Sequence, residues 1–135
     1  KYSPPVLNGF GEEYDDGLVQ FSPQYKWRDM YQGAFVVCAV DDVIRVYALV
    51  RGISHLDVHG KLKAEGKILG GGSIGYHPER NEGGVSVCSY HFGSLPNKVL
   101  ENYFRCFGYN IRANMVEEAI RPTTRQWFQE HGIMV

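Results

Sequence analysis

Residues 51–59 read Arg51-Gly52-Ile53-Ser54-His55-Leu56-Asp57-Val58-His59, residues 69–74 read Leu69-Gly70-Gly71-Gly72-Ser73-Ile74, and residues 87–93 read Val87-Cys88-Ser89-Tyr90-His91-Phe92-Gly93. The stretch that holds these three pieces decides the fold. In the first, Ser54 is a good N-cap and Asp57 falls in the first turn, where a negative charge suits the helix dipole. The spacing predicts a helix over 55–65 that stops at Gly66, with Gly60 as an unfavourable interior residue. His55 then occupies the first helical position, beside unpaired backbone N–H groups. An anion such as phosphate placed there meets donors already oriented for it. The imidazole of His55 can act on it as base, acid or nucleophile. His59 lies one turn further on the same face.

A histidine at a helix start is ordinarily a surface residue, so the other two pieces matter. Ser89-Tyr90-His91 ends an extended run, where backbone N–H groups can form an anion nest and Ser89 adds a hydroxyl. Gly70-Gly71-Gly72 permits unusual dihedrals or close approach of another backbone. It is not a P-loop, because no Gly-Lys-Ser/Thr follows and no helix opens there.

Outward from this stretch, the apolar run 34–40 predicts a buried strand and Asp41-Asp42 a tight turn. Residues 43–50 predict the second strand of a hairpin, interrupted by Arg45. Residues 68–76 read as a strand or extended loop, 77–84 as a polar turn, and 85–90 as a strand. Val99, Leu100, Tyr103, Phe104 and Phe107 recur at helical spacing, which predicts a helix from about Leu95 to Phe107, with Gly108 at its end. A short strand follows over 109–112. The pattern over 116–130 is helical but broken by Pro122.

Residues 1–33 are punctuated by Ser3-Pro4-Pro5, Gly9, Gly11, Gly17 and Pro23 and do not read as regular structure. They carry Phe10, Tyr14, Phe21, Tyr25, Trp27 and Tyr31. Such an aromatic arm either wraps over its own domain or docks on a partner. The division that follows is an arm over 1–33, a domain over 34–114 and a helical extension over 115–135.

A chain of 135 residues with 44% hydrophobic content supports one domain with a real core. The net charge of -1 argues against a general polyanion binder, so direct nucleic-acid binding is not expected. A lysine-bearing face at Lys61, Lys63 and Lys67 is the one feature that would suit an RNA backbone, and such a face is usually only solvated. No apolar run approaches the length needed to span a bilayer. Cys38, Cys88 and Cys106 sit in apolar runs without close pairing. They read as buried free thiols of an intracellular, reducing compartment rather than as a zinc site. The chain opens at Lys1 rather than Met, which is compatible with a removed targeting segment.

Taken in order, Arg51-Gly52, His55-Leu56-Asp57-Val58 with Lys61, the Gly70-Gly71-Gly72 run and Ser89-Tyr90-His91-Phe92-Gly93 resemble the phosphohistidine phosphatase (Janus/Ocnus) family. The resemblance covers about 34–114. It implies an α/β (α+β) fold, a mixed sheet of about six strands flanked by two helices, with N- and C-terminal extensions. It also implies hydrolysis of phosphohistidine or related phosphoramidates without metal or cofactor. By that likeness His55 is the catalytic residue. The amides of His55 and Leu56, with Ser89, Tyr90, His91 and Arg51, hold the phosphoryl oxygens. An alignment without a gap puts His59 in the catalytic place instead.

The chain departs from the family where a basic residue follows the triple glycine, here Ser73. It departs again near the start of the first core strand, where Phe35 and Val36 stand. Losing two cations weakens stabilisation of a transferring phosphoryl group more than it weakens anion binding. Two functions are therefore expected as alternatives. One is a phosphohistidine phosphatase of weakened activity acting on a phosphoprotein. The other is a non-catalytic subunit or adaptor docked on a protein partner through 1–33 and 115–135.

Overall fold

The computed structural model describes residues 18–21, 27, 30–49 and 67–133. Within them the chain runs β1 (Leu18–Gln20), β2 (Tyr31–Val40), β3 (Val43–Leu49), β4 (Lys67–His77), β5 (Glu82–Cys88), α1 (Asn97–Cys106), β6 (Ile111–Asn114), a 3-10 turn (Glu117–Ala119) and α2 (Pro122–Glu130). The fold is α+β, with the strands in one mixed sheet of order β1-β3-β2-β4-β5-β6. Only the β5–β6 pair is parallel; helix α1 supplies the crossover between them, as a parallel pair requires. The helix expected over 55–65 lies outside the described residues.

The β2–β3 hairpin is as read from the sequence. Val40 pairs with Val43, and Asp41 and Asp42 both have positive φ, 50° and 62°. Two such residues in a two-residue loop match the right-handed twist of the flanking strands. Alternation along the hairpin then sorts the core. Phe35 and Val37 of β2 pair with Ala48 and Val46 of β3 on one face, while Val36 pairs with Tyr47 on the other. The first face carries the main core, with Phe35, Val37, Ile74, Val85 and Ile111 under Leu100 and Phe104 of α1 and Trp127 and Phe128 of α2. The second face carries a smaller cluster of Val36, Cys38, Tyr47, Leu49 and Phe92.

Several expectations are corrected. The region 77–84 is not one polar turn: β4 continues to His77, β5 begins at Glu82, and only 78–81 turn. Gly83, a turn residue on propensity, is a strand residue because it pairs with Tyr76 of β4 and Ile111 of β6, and it is glycine because a Cβ there would stand 2.4 Å from the Gly75 carbonyl oxygen. The strand expected over 85–90 ends at Cys88, and the final strand is 111–114 rather than 109–112. The helical pattern over 116–130 resolves into a 3-10 turn and a helix that starts at Pro122, whose missing N–H is no loss at the first helical position.

Strand β2 starts at Tyr31, inside the expected arm, because Tyr31, Gln32 and Gly33 continue the ladder with Tyr76, Gly75 and Ile74. Phe21 and Trp27 stack at 4.7 Å, and Phe21 meets Phe104 and Tyr109 edge-on at 5.3 and 5.2 Å. The Tyr103 hydroxyl donates to the Phe21 carbonyl at 2.7 Å and accepts the Val46 N–H at 3.2 Å. Tyr31 is buried with its hydroxyl directed at the carbonyls of Ala34 and Leu49, and burial raises its pKa. The described part of the arm therefore wraps on its own domain. At the other end, Met115, Ile120, Trp127 and Phe128 are buried, and Met115, Trp127 and Phe128 join the main core. Of the cysteines only Cys38 is buried; Cys88 is half-buried and Cys106 exposed, since Cys106 ends α1 on its outer side.

The β6 edge is closed by helix side chains. Glu101 accepts the Ala113 N–H at 2.9 Å, and the Asn97 amide both accepts from Met115 N–H at 2.6 Å and donates to its carbonyl at 3.1 Å. These side chains occupy backbone groups that would otherwise template pairing with another strand.

Candidate functional site

The triple glycine works by close approach and not by unusual dihedrals: none of the three has positive φ. A Cβ on Gly70 would stand 2.8 Å from the Ser94 carbonyl oxygen and 2.7 Å from Leu95 Cγ. One on Gly72 would stand 2.6 Å from the Val87 carbonyl oxygen. The middle glycine then binds the segment by its backbone. Gly71 accepts the Ser89 N–H at 2.7 Å and donates to the Gly93 carbonyl at 3.1 Å, and Gly93 N–H donates to the Ser89 carbonyl at 2.9 Å. Ser89 through Gly93 is thus a closed turn laid against β4.

Within the turn the Ser89 hydroxyl oxygen accepts N–H bonds from His91 at 3.2 Å and Phe92 at 3.0 Å. This is a local side-chain motif of the kind that ends strands. It changes the donor inventory of the expected nest. The Ser89 N–H is committed to the sheet and the His91 N–H to Ser89 itself, while among the described residues the Tyr90 N–H makes no hydrogen bond. The Tyr90 side chain stands fully in solvent. The His91 ring is half-exposed and meets Phe92 edge-on at 4.7 Å.

Immediately before the turn, Val87 is the extra residue of a bulge. Gly72 pairs with Cys88 and Ser73 with Ser86, so Val87 has no partner on β4, and its φ is 47°. A β-branched residue in the left-handed region is strained, and such strain clusters at functional sites. Val87 is 69% exposed. Ser86 pairs with Asn114, so Val87 and the exposed Val116 come to the same end of the sheet.

On the sheet face opposite α1 and α2, cross-strand pairing aligns Gln32, Gly75, Gly84 and Arg112 in one row and Ala34, Ser73, Ser86 and Asn114 in the next. These rows floor a cleft of about 270 Å³ lined by Gln32, Gly33, Ser73, Ile74, Gly75, Gly84 and Ser86. Among the described residues no charged side chain lines it. Ser73 is exposed in it, and Phe35 and Val36 are fully buried, so neither position supplies a cation. A second cleft of about 340 Å³, with Glu101, Arg105 and Arg112 in its walls, lies at the other end of β5 beside Asn81 and Gly108.

Of the expected site residues, Ser89, Tyr90 and His91 are brought into one turn. Arg51, His55, Leu56 and His59 lie outside the described residues. Sequence reading missed Arg121, whose guanidinium donates to the His91 carbonyl. Nothing local marks it; only the return of the chain from β6 into α2 brings it there. Among the described residues no group of three or more His, Cys, Asp or Glu could hold a metal ion, and no helix is long and apolar enough to cross a membrane. No family model, curated protein or solved structure matches this chain.

Proposed function

We propose that this chain is a non-catalytic binding module, a subunit or adaptor that holds a phosphorylated group of a protein partner on a phosphohistidine-phosphatase-like fold. The observation that carries the reading is the neutral row Ala34, Ser73 and Ser86 beside the Ser89 turn. Transfer of a phosphoryl group needs positive charge fixed where negative charge develops, and a missing donor or cation of that kind costs about 2.7–4 kcal/mol of barrier. Binding of a ground-state anion tolerates the loss better. Among the described residues Phe21, Trp27 and Tyr31 of the arm are buried, while Tyr90 and Val87, beside the turn, are exposed apolar groups that a partner would meet.

A second reading, weak metal-free hydrolysis of phosphohistidine with His55 as the acting residue, is favoured by the unspent Tyr90 N–H and by the strained Val87 beside it. One assay separates the two: hydrolysis of a phosphohistidine peptide by the unaltered chain, His55→Ala and His59→Ala, without added metal. The binding reading expects equal background rates in all three. Robust turnover lost only in His55→Ala overturns it, and loss only in His59→Ala places the acting histidine one turn later.

A further inference from the structure

Arg121 belongs to none of the motifs read from the sequence. It is the residue before α2, at the N-cap position, and its own side chain caps nothing in that helix. Instead its guanidinium donates from Nη2 to the carbonyl of His91. Its stem lies across Gly93, where a Cβ would come within 2.9 Å of Arg121 Cγ. Gly93 has φ 85°, so a side chain there would be strained as well as obstructed. The next residue ties the same two segments again, Ser94 N–H donating to the Ala119 carbonyl at 3.1 Å. The Ser89–Gly93 turn and the start of α2 are therefore one unit, and that unit carries a guanidinium.

The charge is not neutralised by the protein around it. The ion pairs among the described residues join Arg80 to Glu82 and His131 to Asp42, and none involves Arg121. An arginine has five N–H donors in a planar fork. One is spent on His91, and the side chain is exposed. The turn also holds polar groups that the fold leaves unspent. Among the described residues Tyr90 N–H makes no hydrogen bond, and just after the turn Ser94, fully buried, has an Oγ without a partner.

We infer that Arg121 is the cation of an oxyanion site on the Ser89–Gly93 turn, taking a phosphoryl group with Tyr90 N–H as the neighbouring donor. The inference deepens the binding function proposed above and rests on it. The chemistry suits arginine in particular. A fork can keep one N–H on the His91 carbonyl and present others to the ligand's oxygens, whereas a lysine ammonium acts as a point charge. The C-terminal segment thereby supplies one cation for holding an anion, while the strand positions Ser73 and Ala34 stay neutral and the second cation that transfer would need is still missing.

The test is a titration with inorganic phosphate at constant ionic strength, read on the backbone amides of Tyr90 and His91 by NMR. The proteins are the unaltered chain, Arg121→Gln, Arg121→Lys and Arg125→Gln. Glutamine keeps the Cβ and Cγ methylenes beside Gly93 and removes the charge, but its amide ends short of the His91 carbonyl; thermal unfolding of each variant therefore checks that the turn still forms, and Arg121→Lys carries the comparison if the glutamine variant is unstable. The expected result is saturable shifts in the unaltered chain, binding weakened about tenfold in Arg121→Gln and less in Arg121→Lys. Arg125→Gln, one helical turn away, should change binding by no more than about twofold. Amides that do not move in the unaltered chain, undiminished binding in Arg121→Gln, or equal weakening in Arg125→Gln each overturn the inference. Turnover in the hydrolysis assay with Arg121-dependent binding would overturn the non-catalytic reading alone and leave Arg121 as the binding cation.

Discussion

Val87→Gly should stabilise this protein, although glycine inside a strand ordinarily costs about 0.5–1 kcal/mol. The sign follows from the geometry at that residue. Val87 sits at φ 47°, opposite no residue of β4. For an L-residue this region costs about 1–2 kcal/mol, and up to about 3 kcal/mol for a poorly suited side chain. Glycine removes that term. Two losses oppose it. Glycine raises the entropy of the unfolded chain, worth about 0.4–1 kcal/mol. The valine side chain is 69% exposed, so deleting it forfeits only the buried remainder of a full contribution, about 0.5–1 kcal/mol. Taking about 2–3 kcal/mol for the relief of a β-branched residue, the net is a gain of roughly 0–2 kcal/mol, with about 1 kcal/mol at the middle of the range.

Val87→Ala supplies the control. It loses the same contacts and keeps most of the left-handed penalty, so it should be neutral or slightly destabilising. Urea unfolding measures both, with an unchanged m-value required so that the midpoint reports stability alone. Thermal unfolding should show a rise of about 2–5 °C for the glycine variant. A Val87→Gly protein less stable than the unaltered chain by about 1 kcal/mol would refute the assignment of strain to Val87.

Two further outcomes are expected. Tyr103→Phe removes the hydroxyl that joins the Phe21 carbonyl to the Val46 N–H, and should lower stability by about 1–2 kcal/mol in denaturant titration; no change would mean that the arm is not held to β3 through this group. His131 should titrate above the ordinary histidine range. Its ring bonds the Trp127 carbonyl at 2.7 Å and Asp42 at 3.2 Å, and the first of these is the larger cause of its raised pKa. A raised folded-state pKa contributes stability that is fully present below the unfolded value of 6.5 and is lost as pH rises through the folded value. NMR titration of the ring in the unaltered chain and in Asp42→Asn checks this: the variant should titrate lower, and an unchanged pKa would remove Asp42 from the account.

The sequence determined the local elements whose signals are local. The Asp41-Asp42 hairpin follows from a two-residue loop between β-branched runs. Helix α1 follows from the spacing of Leu100 and Phe104, both buried. The mixed sheet with flanking helices was legible through the order of its motifs, whereas the strand expected to run to residue 90 stops at Cys88 and leaves Ser89, Tyr90 and His91 to a turn. What the sequence could not decide was how long-range pairing spends each backbone group. Propensity assigned Gly83-Gly84 to a turn, but neighbouring strands made them a ladder. The same propensity ended the arm after residue 33, yet β2 begins at Tyr31 because β4 supplies its hydrogen-bond partners. The anion nest lost two of its expected N–H donors for the same reason: Gly71 takes one, and Ser89 Oγ takes the other. Arg121 could be found only in three dimensions, because the contact that gives it meaning joins residues thirty apart, and no periodicity or local motif records which side chain the returning chain lays over a turn.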